Sequence, residues 1–223
     1  MSVAAVIPVK PLTSALGRLG RILDAPERRA LQAAMLEDVL GACREASALA
    51  AALVVTSDPE AGEIARALDA AVLSDHRPPQ GMNAAVEIGL GGAEALGADA
   101  ALVLTADLPL ARGADLDALR ARPTGTTGVV LSPSLDGTGT NAMLLAPPRA
   151  LRPELGIGSL ARHLAQAERL GVGVEIVPRP GLALDVDTPE DLARLCEREG
   201  ASRAHEVAAR LRLGERVAAV GAR

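Results

Sequence analysis

The chain has 223 residues, enough for one substantial α/β domain, and its 23 Lys and Arg against 28 Asp and Glu leave a net charge of −5. That balance gives no general attraction for nucleic acid or anionic lipid, so an anionic ligand needs a local site. Phe, Tyr and Trp are absent altogether, which removes the stacking platforms of single-stranded nucleic-acid binders and leaves Ala, Leu and Val to fill the core.

Val3 to Val9, VAAVIPV, reads as a buried first strand that feeds a loop from Lys10 to Arg21. The loop carries three cations, Lys10, Arg18 and Arg21, with Gly17, Gly20 and the hydroxyls of Thr13 and Ser14. Such a composition can offer N–H groups and positive charge to a phosphate. It matches neither GxxxxGK[ST] nor GxGxxG, and an ordinary polar strand-to-helix loop explains it equally well. Asp24, Pro26 and Glu27 then predict a capped helix to about Glu45. Ala51 to Val55 is a second strand, Pro59 to Ala70 a helix, and Val72 with Leu73 a short strand, so a β-α repeat is established. The next loop holds His76 and Arg77, read as a solvated pair, and leads to a helix ending near Leu96. Asn83 near its start is either a cap or a group for an anion or base carbonyl.

The run Ala100 to Arg112, AALVLTADLPLAR, organises the rest of the chain. An apolar strand ends in the carboxylate of Asp107, and Pro109 turns the chain there, which holds Asp107 at the rim where ligands of open α/β sheets gather. A helix over Asp115 to Arg122 and a strand over Gly128 to Leu131 follow. Asp136 to Asn141, DGTGTN, fits a hairpin turn, yet Thr138, Thr140 and Asn141 exceed the hydrogen-bonding needs of one. After a strand over Ala142 to Ala146, Gly156, Gly158 and Ser159 open a helix to about Leu170 and form a second anion-site candidate. His163 on that helix is expected at the surface.

Val172 to Val177 reads as a strand, and LALDVD carries Asp185 and Asp187 toward the same rim. Alternating residues of a strand face opposite ways, so only one of the two is expected to meet Asp107. Thr188, Pro189, Glu190 and Asp191 start a capped helix, and the last twenty residues read as a terminal helix with a frayed tail. Cys43 and Cys196 fall in helices rather than in a CxxC motif. With no leader pattern and no apolar run near about 18 residues, a reducing cytoplasmic compartment is expected.

An oxygen-only site from Asp107 and Asp187 suits Mg²⁺, which prefers a couple of carboxylates plus phosphate oxygens, and so points to a nucleoside triphosphate. With Lys10, Arg18 and Arg21 about the phosphates, the reaction would be attack on an α-phosphorus with loss of diphosphate.

IPVKPL, TADLPL, DGTGTN, LGIGS with its following His, and LDVDTPEDL together resemble the 2-phospho-lactate guanylyltransferases over most of residues 3 to 197. TADLP and DVDTPEDL are common to many nucleotidyltransferases, including molybdenum-cofactor enzymes; DGTGTN with GxxS is the specific part. The resemblance implies a single three-layer α/β/α domain of glycosyltransferase-A-like, Rossmann-like type with a mostly parallel mixed sheet, residues 198–223 being an appended helix and tail. It implies transfer of GMP from GTP to phosphoenolpyruvate or 2-phospho-L-lactate, for coenzyme F-420, with Mg²⁺ as cofactor. It places Thr140, Asn141, Gly156 and Ser159 on the acceptor and Pro8, Lys10, Arg18, Arg21 and Asn83 on the nucleotide. Lys10, Arg18 and Asp107 become catalytic, and Asp107, Asp187 and Asp185 metal-binding. The implied partners are these small molecules, with no nucleic acid or membrane and a homodimer left open. Two departures stand out: Leu16 occupies the position of a family lysine, and Leu155 that of an aromatic. The runner-up reading is a related nucleotidyltransferase with another acceptor or base, such as a molybdenum-cofactor enzyme; a missing phosphate contact would cost about 1.5 to 3 kcal/mol, which raises a third reading, a nucleotide-binding module without turnover. Leu16 either marks a weakened triphosphate site or packs beneath the loop.

Overall fold

The computed structural model describes residues 1–47, 49–74, 81–120 and 128–221. His76, Arg77 and the last two residues of the expected 115–122 helix lie outside them. The elements run β1 (Val3–Pro8), α1 (Ala25–Glu45), β2 (Leu49–Thr56), α2 (Pro59–Ala67), β3 (Ala71–Ser74), α3 (Met82–Ala95), β4 (Ala100–Leu104) and α4 (Gly113–Arg120). They continue with β5 (Gly128–Pro133), β6 (Thr140–Ala146), α5 (Ser159–Leu170), β7 (Val174–Ile176), α6 (Pro180–Ala183), α7 (Pro189–Glu197), α8 (Arg203–Arg210) and α9 (Leu213–Gly221). Two short 3₁₀ turns, Leu12–Ser14 and Gly17–Leu19, shape the first loop.

The strands form one sheet in the order β3-β2-β1-β4-β6-β5-β7. Among the described residues only β6 runs against its neighbours, pairing antiparallel with both β4 and β5. Strands β1 and β4 are buried at every residue, as central strands covered on both faces must be. The expected mostly parallel mixed sheet is what forms, in a three-layer α/β/α arrangement.

One layer of core packs α1, α2 and α4 on the sheet through Leu36, Val39, Leu40, Leu116 and Leu119. The other layer is α3 and α5, through Val86, Leu90 and Ala167. On that side Gly89 permits close approach, since a Cβ there would lie 2.2 Å from Val6 Cγ1. With no aromatic rings, the largest sealed side chains are aliphatic or thioether, such as Ile7, Leu31, Met35 and Leu102. A third cluster joins the first loop to the C-terminal helices and has no counterpart in the sequence reading.

Two expectations change here. The C-terminal segment is two helices rather than a helix and tail: Arg212, at φ 54°, breaks the run, and Ala204, Val207, Ala208 and Leu213 are buried. The approach to Asp185 and Asp187 is not a strand, because Pro180 opens the short helix α6 and residues 184–187 have no regular partner. The capping boxes of α1 (Asp24 with Glu27) and α7 (Thr188 with Asp191) form as their sequences require. No described helix is long and apolar enough to cross a membrane.

Candidate active site

Strand β4 stops at Leu104, and the chain continues past Thr105 to Asp107 at the carboxyl edge of the sheet. Asp107 Oδ1 and Thr105 Oγ1 are both sealed from solvent and neither completes a hydrogen bond, although the Thr105 hydroxyl lies close enough to Asp107 to oppose the rise in its pKa. Polar atoms so placed are costly unless something else engages them. Burial, then Asp185, then Asp187 push the Asp107 carboxyl up to about 6. Both acids approach because Val186, between them, donates its backbone N–H to Asp107 O at 3.1 Å. The expectation that only one of the pair reaches Asp107 fails for that reason: without strand alternation, both neighbours of Val186 are brought to the rim.

The two acids are held differently. Asp185 Oδ1 accepts from Asn141 Nδ2 at 3.0 Å, and burial raises its pKa. Asp187 Oδ2 accepts from Arg18 Nη1 at 2.7 Å on the exposed side of the site. A cation already sits against Asp187, and it is contributed by the first loop.

A β-bulge shapes the next strand. Ser132 pairs with Ala142 and Pro133 with Thr140, which leaves Asn141 as the extra residue. Bulges re-aim side chains, and here Thr140 turns to α5 while Asn141 turns to α6. Asn141 Nδ2 donates to Leu182 O, Ala183 O and Asp185 Oδ1 at 3.0, 3.1 and 3.0 Å, so this buried residue positions the acidic segment. Strand and rim are joined directly, since Thr105 donates its N–H to Asn141 O at 3.2 Å. The preceding turn is self-contained: Asp136 accepts from Ser134 Oγ and from Thr138 N and Oγ1, which lowers it to about 2. Thr138 is therefore used by the hairpin, as the turn reading allowed, whereas Thr140 and Asn141 are not.

His163 is fully buried, not at the surface. Its Nδ1 lies 3.1 Å from Thr140 Oγ1 and its Nε2 accepts the Glu154 N–H at 2.9 Å. Burial, then the nearby Arg162 charge, lower its pKa to about 4. The signal was present: Ser159, His163 and Gln166 share the helical spacing of a buried face, and all three are buried. Around them the backbone of residues 152–157 is clamped by side chains. Gln166 bonds Arg152 N and O, Arg162 bonds the carbonyls of Glu154 and Ile157, and Asn83 bonds Leu155 N at 2.8 Å and Leu155 O at 3.5 Å. Asn83 thus caps no helix, Gly81 being the N-cap of α3, and spans instead to the 152–157 segment. Gly156 and Gly158 have φ of 117° and 71°, conformations that glycine tolerates and that bring Ser159 to the helix start.

The first loop presents Lys10, Arg18 and Arg21 as exposed side chains, just beyond Pro8 at the end of buried β1. Leu16 points the other way. It is 6% exposed, has φ 54°, and packs with Leu19, Ala204, Val207 and Leu213. Arg216 of α9 closes the contact by bonding both oxygens of Glu27, at 2.7 and 2.8 Å, and the Ile22 carbonyl. Glu27 is lowered to about 2 by Arg216 and by the Asp24 N–H. Sequence reading missed Arg216 because it lies 189 residues from Glu27.

One sheet edge therefore carries the cationic loop after β1, the three acids after β4 and α6, and Thr140 with the Gly156–Ser159 turn. No group of three His, Cys, Asp or Glu among the described residues forms a ready-made metal cage. The orphaned Asp107 oxygen and the mutual repulsion of the acids suit a cation that takes its remaining ligands from a substrate. A cleft of about 1240 Å³ between α1, α4, α6 and α8 is lined by none of the nominated residues.

A family model for guanylyl transferase CofC-like proteins matches residues 3–217. Phosphoenolpyruvate guanylyltransferase of Conexibacter woesei is 44% identical over 198 residues, covering 88% of each chain. That of Rubrobacter xylanophilus is 47% identical over 195 residues, 87% of this chain and 94% of its own. In fold, a Desulfovibrio desulfuricans structure provisionally described as a nucleotide-diphospho-sugar transferase superposes with a TM-score of 0.72 over 97% of both chains at 15% identity. The chain thus belongs to the guanylyl transferase CofC-like family and is a nucleotidyltransferase.

Proposed function

We propose that the protein transfers GMP from GTP to phosphoenolpyruvate and releases diphosphate. The observation that carries the reading is the convergence at one sheet edge of the three exposed cations of the first loop, the acids about Asp107, and the donor-rich Thr140 and Ser159 side. The relatives named as phosphoenolpyruvate guanylyltransferases support the choice of acceptor. An acceptor phosphate oxygen attacks the α-phosphorus, the bond from that phosphorus to the bridging oxygen of the β-phosphate breaks, and diphosphate leaves with the electron pair. A phosphate monoester is already ionised near neutral pH, so no side-chain base is required.

Lys10, Arg18 and Arg21 counter the triphosphate charge, and Pro8 fixes the start of their loop. Asp107 and Asp187, with Asp185 beside them, would hold Mg²⁺, whose role when bound is to neutralise phosphate oxygens as charge builds on them. Thr140, Gly156 and Ser159 receive the acceptor's carboxylate and phosphate. Asn83 and Asn141 act from behind, one through the Leu155 backbone and the other through Asp185. The product would serve coenzyme F-420 assembly, and two unpaired cysteines, Cys43 and Cys196, fit a reducing cytoplasm.

Incubation with Mg²⁺, each nucleoside triphosphate, and either phosphoenolpyruvate or 2-phospho-L-lactate, followed by mass spectrometry, tests the proposal. Guanylylated phosphoenolpyruvate and diphosphate are expected. Transfer from another nucleotide in preference, or no adduct with either acid, overturns it.

A further inference from the structure

We propose that His163 is a positioning residue that locks the Thr140 hydroxyl as a hydrogen-bond donor, so that its O–H is kept for an accepting oxygen on the acceptor side of the site. The inference rests on the reading of Thr140 as an acceptor-binding residue.

The argument follows from one amide. Glu154 N–H can only donate, and at 2.9 Å it points to His163 Nε2, which must present its lone pair. The ring proton is then on Nδ1. Thr140 Oγ1, 3.1 Å away, receives that proton as an acceptor. A hydroxyl has one proton and has accepted from the imidazole, so its own O–H cannot return along that line and is directed elsewhere. Thr140 is 4% exposed and His163 is sealed, which leaves no bulk water to exchange the roles. The opposite tautomer would set two N–H groups against each other at Glu154, and so would the doubly protonated ring.

A phosphate or carboxylate oxygen satisfies the Thr140 O–H, whereas an ammonium or amide N–H could use only the remaining lone pair of Oγ1 and would leave that O–H unanswered. The discrimination is built from three elements at once, since Thr140 opens β6, His163 lies in α5, and Glu154 belongs to the connecting segment. The ring also ties that segment to the bulge, so the donor direction and the position of the Gly156–Ser159 turn are set together.

Long-range ¹H–¹⁵N correlation spectra of the wild-type protein at neutral pH read the tautomer directly. A protonated Nδ1 with an unprotonated Nε2 is expected, and the reverse overturns the proposal without any variant and without any substrate. His163→Ala should raise the KM for phosphoenolpyruvate about tenfold or more, with a much smaller change for GTP, because one charge-assisted hydrogen bond is misdirected. His163→Asn, whose amide can donate where Nδ1 stands, should recover much of that loss, and His163→Gln should not. In a Thr140→Val background His163→Ala should add little, since the ring acts through the hydroxyl. Equal losses for both substrates, or additive effects in the double variant, refute it. Should wild-type protein use another acceptor, the functional reading fails while the tautomer result still stands or falls separately.

Discussion

Arg18 of the first loop and Asp187 of the acidic segment, 169 residues apart, form an ion pair with Nη1 2.7 Å from Oδ2. The pair joins the two halves of the candidate site that otherwise belong to different ends of the chain. Both side chains are about half exposed, at 60% and 44%, so its contribution to stability is small. Under the proposed function each partner has a second ligand, a phosphate for Arg18 and a cation for Asp187. Arg18→Ala should change stability by less than about 0.5 kcal/mol while weakening GTP binding and flattening its salt dependence. Titrations at two ionic strengths beside a urea melt check this, and unchanged GTP affinity would remove Arg18 from the phosphate site.

Asp107→Asn should abolish most transfer, by about 100-fold or more, yet stabilise the metal-free protein. The folded pKa of Asp107 is raised to about 6 from 3.8. Ionising it therefore penalises the native state above pH 6, and the penalty fades as pH falls toward 4. The variant's gain should be about 2 to 3 kcal/mol at pH 8 and vanish near pH 4. Urea melts in chelator across that range measure it; a destabilised variant at pH 8 contradicts the buried, repelled carboxylate.

Leu16→Lys distinguishes the two readings of that position. Because Leu16 is buried under the loop at φ 54°, the lysine should lower stability by about 2 kcal/mol or more and leave GTP affinity unchanged or worse. A salt-sensitive gain in GTP affinity without loss of melting temperature is the opposite outcome, and would restore the weakened-site reading.

Arg216→Ala should reach the nucleotide from the far end of the chain. Its guanidinium holds Glu27 and the Ile22 carbonyl where the first loop enters α1. Loss of these charged hydrogen bonds should cost about 1.5 to 3 kcal/mol and raise the KM for GTP more than that for phosphoenolpyruvate. Steady-state kinetics with each substrate varied in turn show whether the effect is confined to the loop's side.

Acid should destabilise the protein through His163. Its folded pKa is lowered to about 4 from 6.5, so the unfolded chain binds the extra proton first. Stability from the neutral buried ring is present above pH 6.5 and is lost as pH falls to 4, to the extent of roughly 3 kcal/mol. Asp107 and Asp38, both raised to about 6, act in the opposite direction in this window. The comparison is therefore between wild type and His163→Asn at pH 7 and pH 4.5, where the stability difference should shrink on acidification.

The seven strands, most helices and the sheet edge that carries the candidate site were legible in local patterns of the chain. Continuous apolar runs such as AALVL have no solvent-facing side, and Asp24 with Glu27 or Thr188 with Asp191 cap their helices by contacts three residues apart. Local rules therefore suffice for them. Asp107 at a strand end followed by Pro109 marked the candidate site by local rules, and the resemblance to a known family marked Thr140 and Ser159.

The remaining features depend on partners far along the chain. The bulge at Asn141 exists because β5 and β6 change register, and it alone sends Thr140 to His163 and Asn141 to Asp185. The helical turn at Pro180 and the Val186 bond to Asp107 bring both acids in, against the alternation of an extended strand. Leu16 is a core residue because α8 and α9 fold back onto the first loop. A side chain's periodicity records which face it shares with its own helix or strand, but not which distant backbone amide fixes its proton.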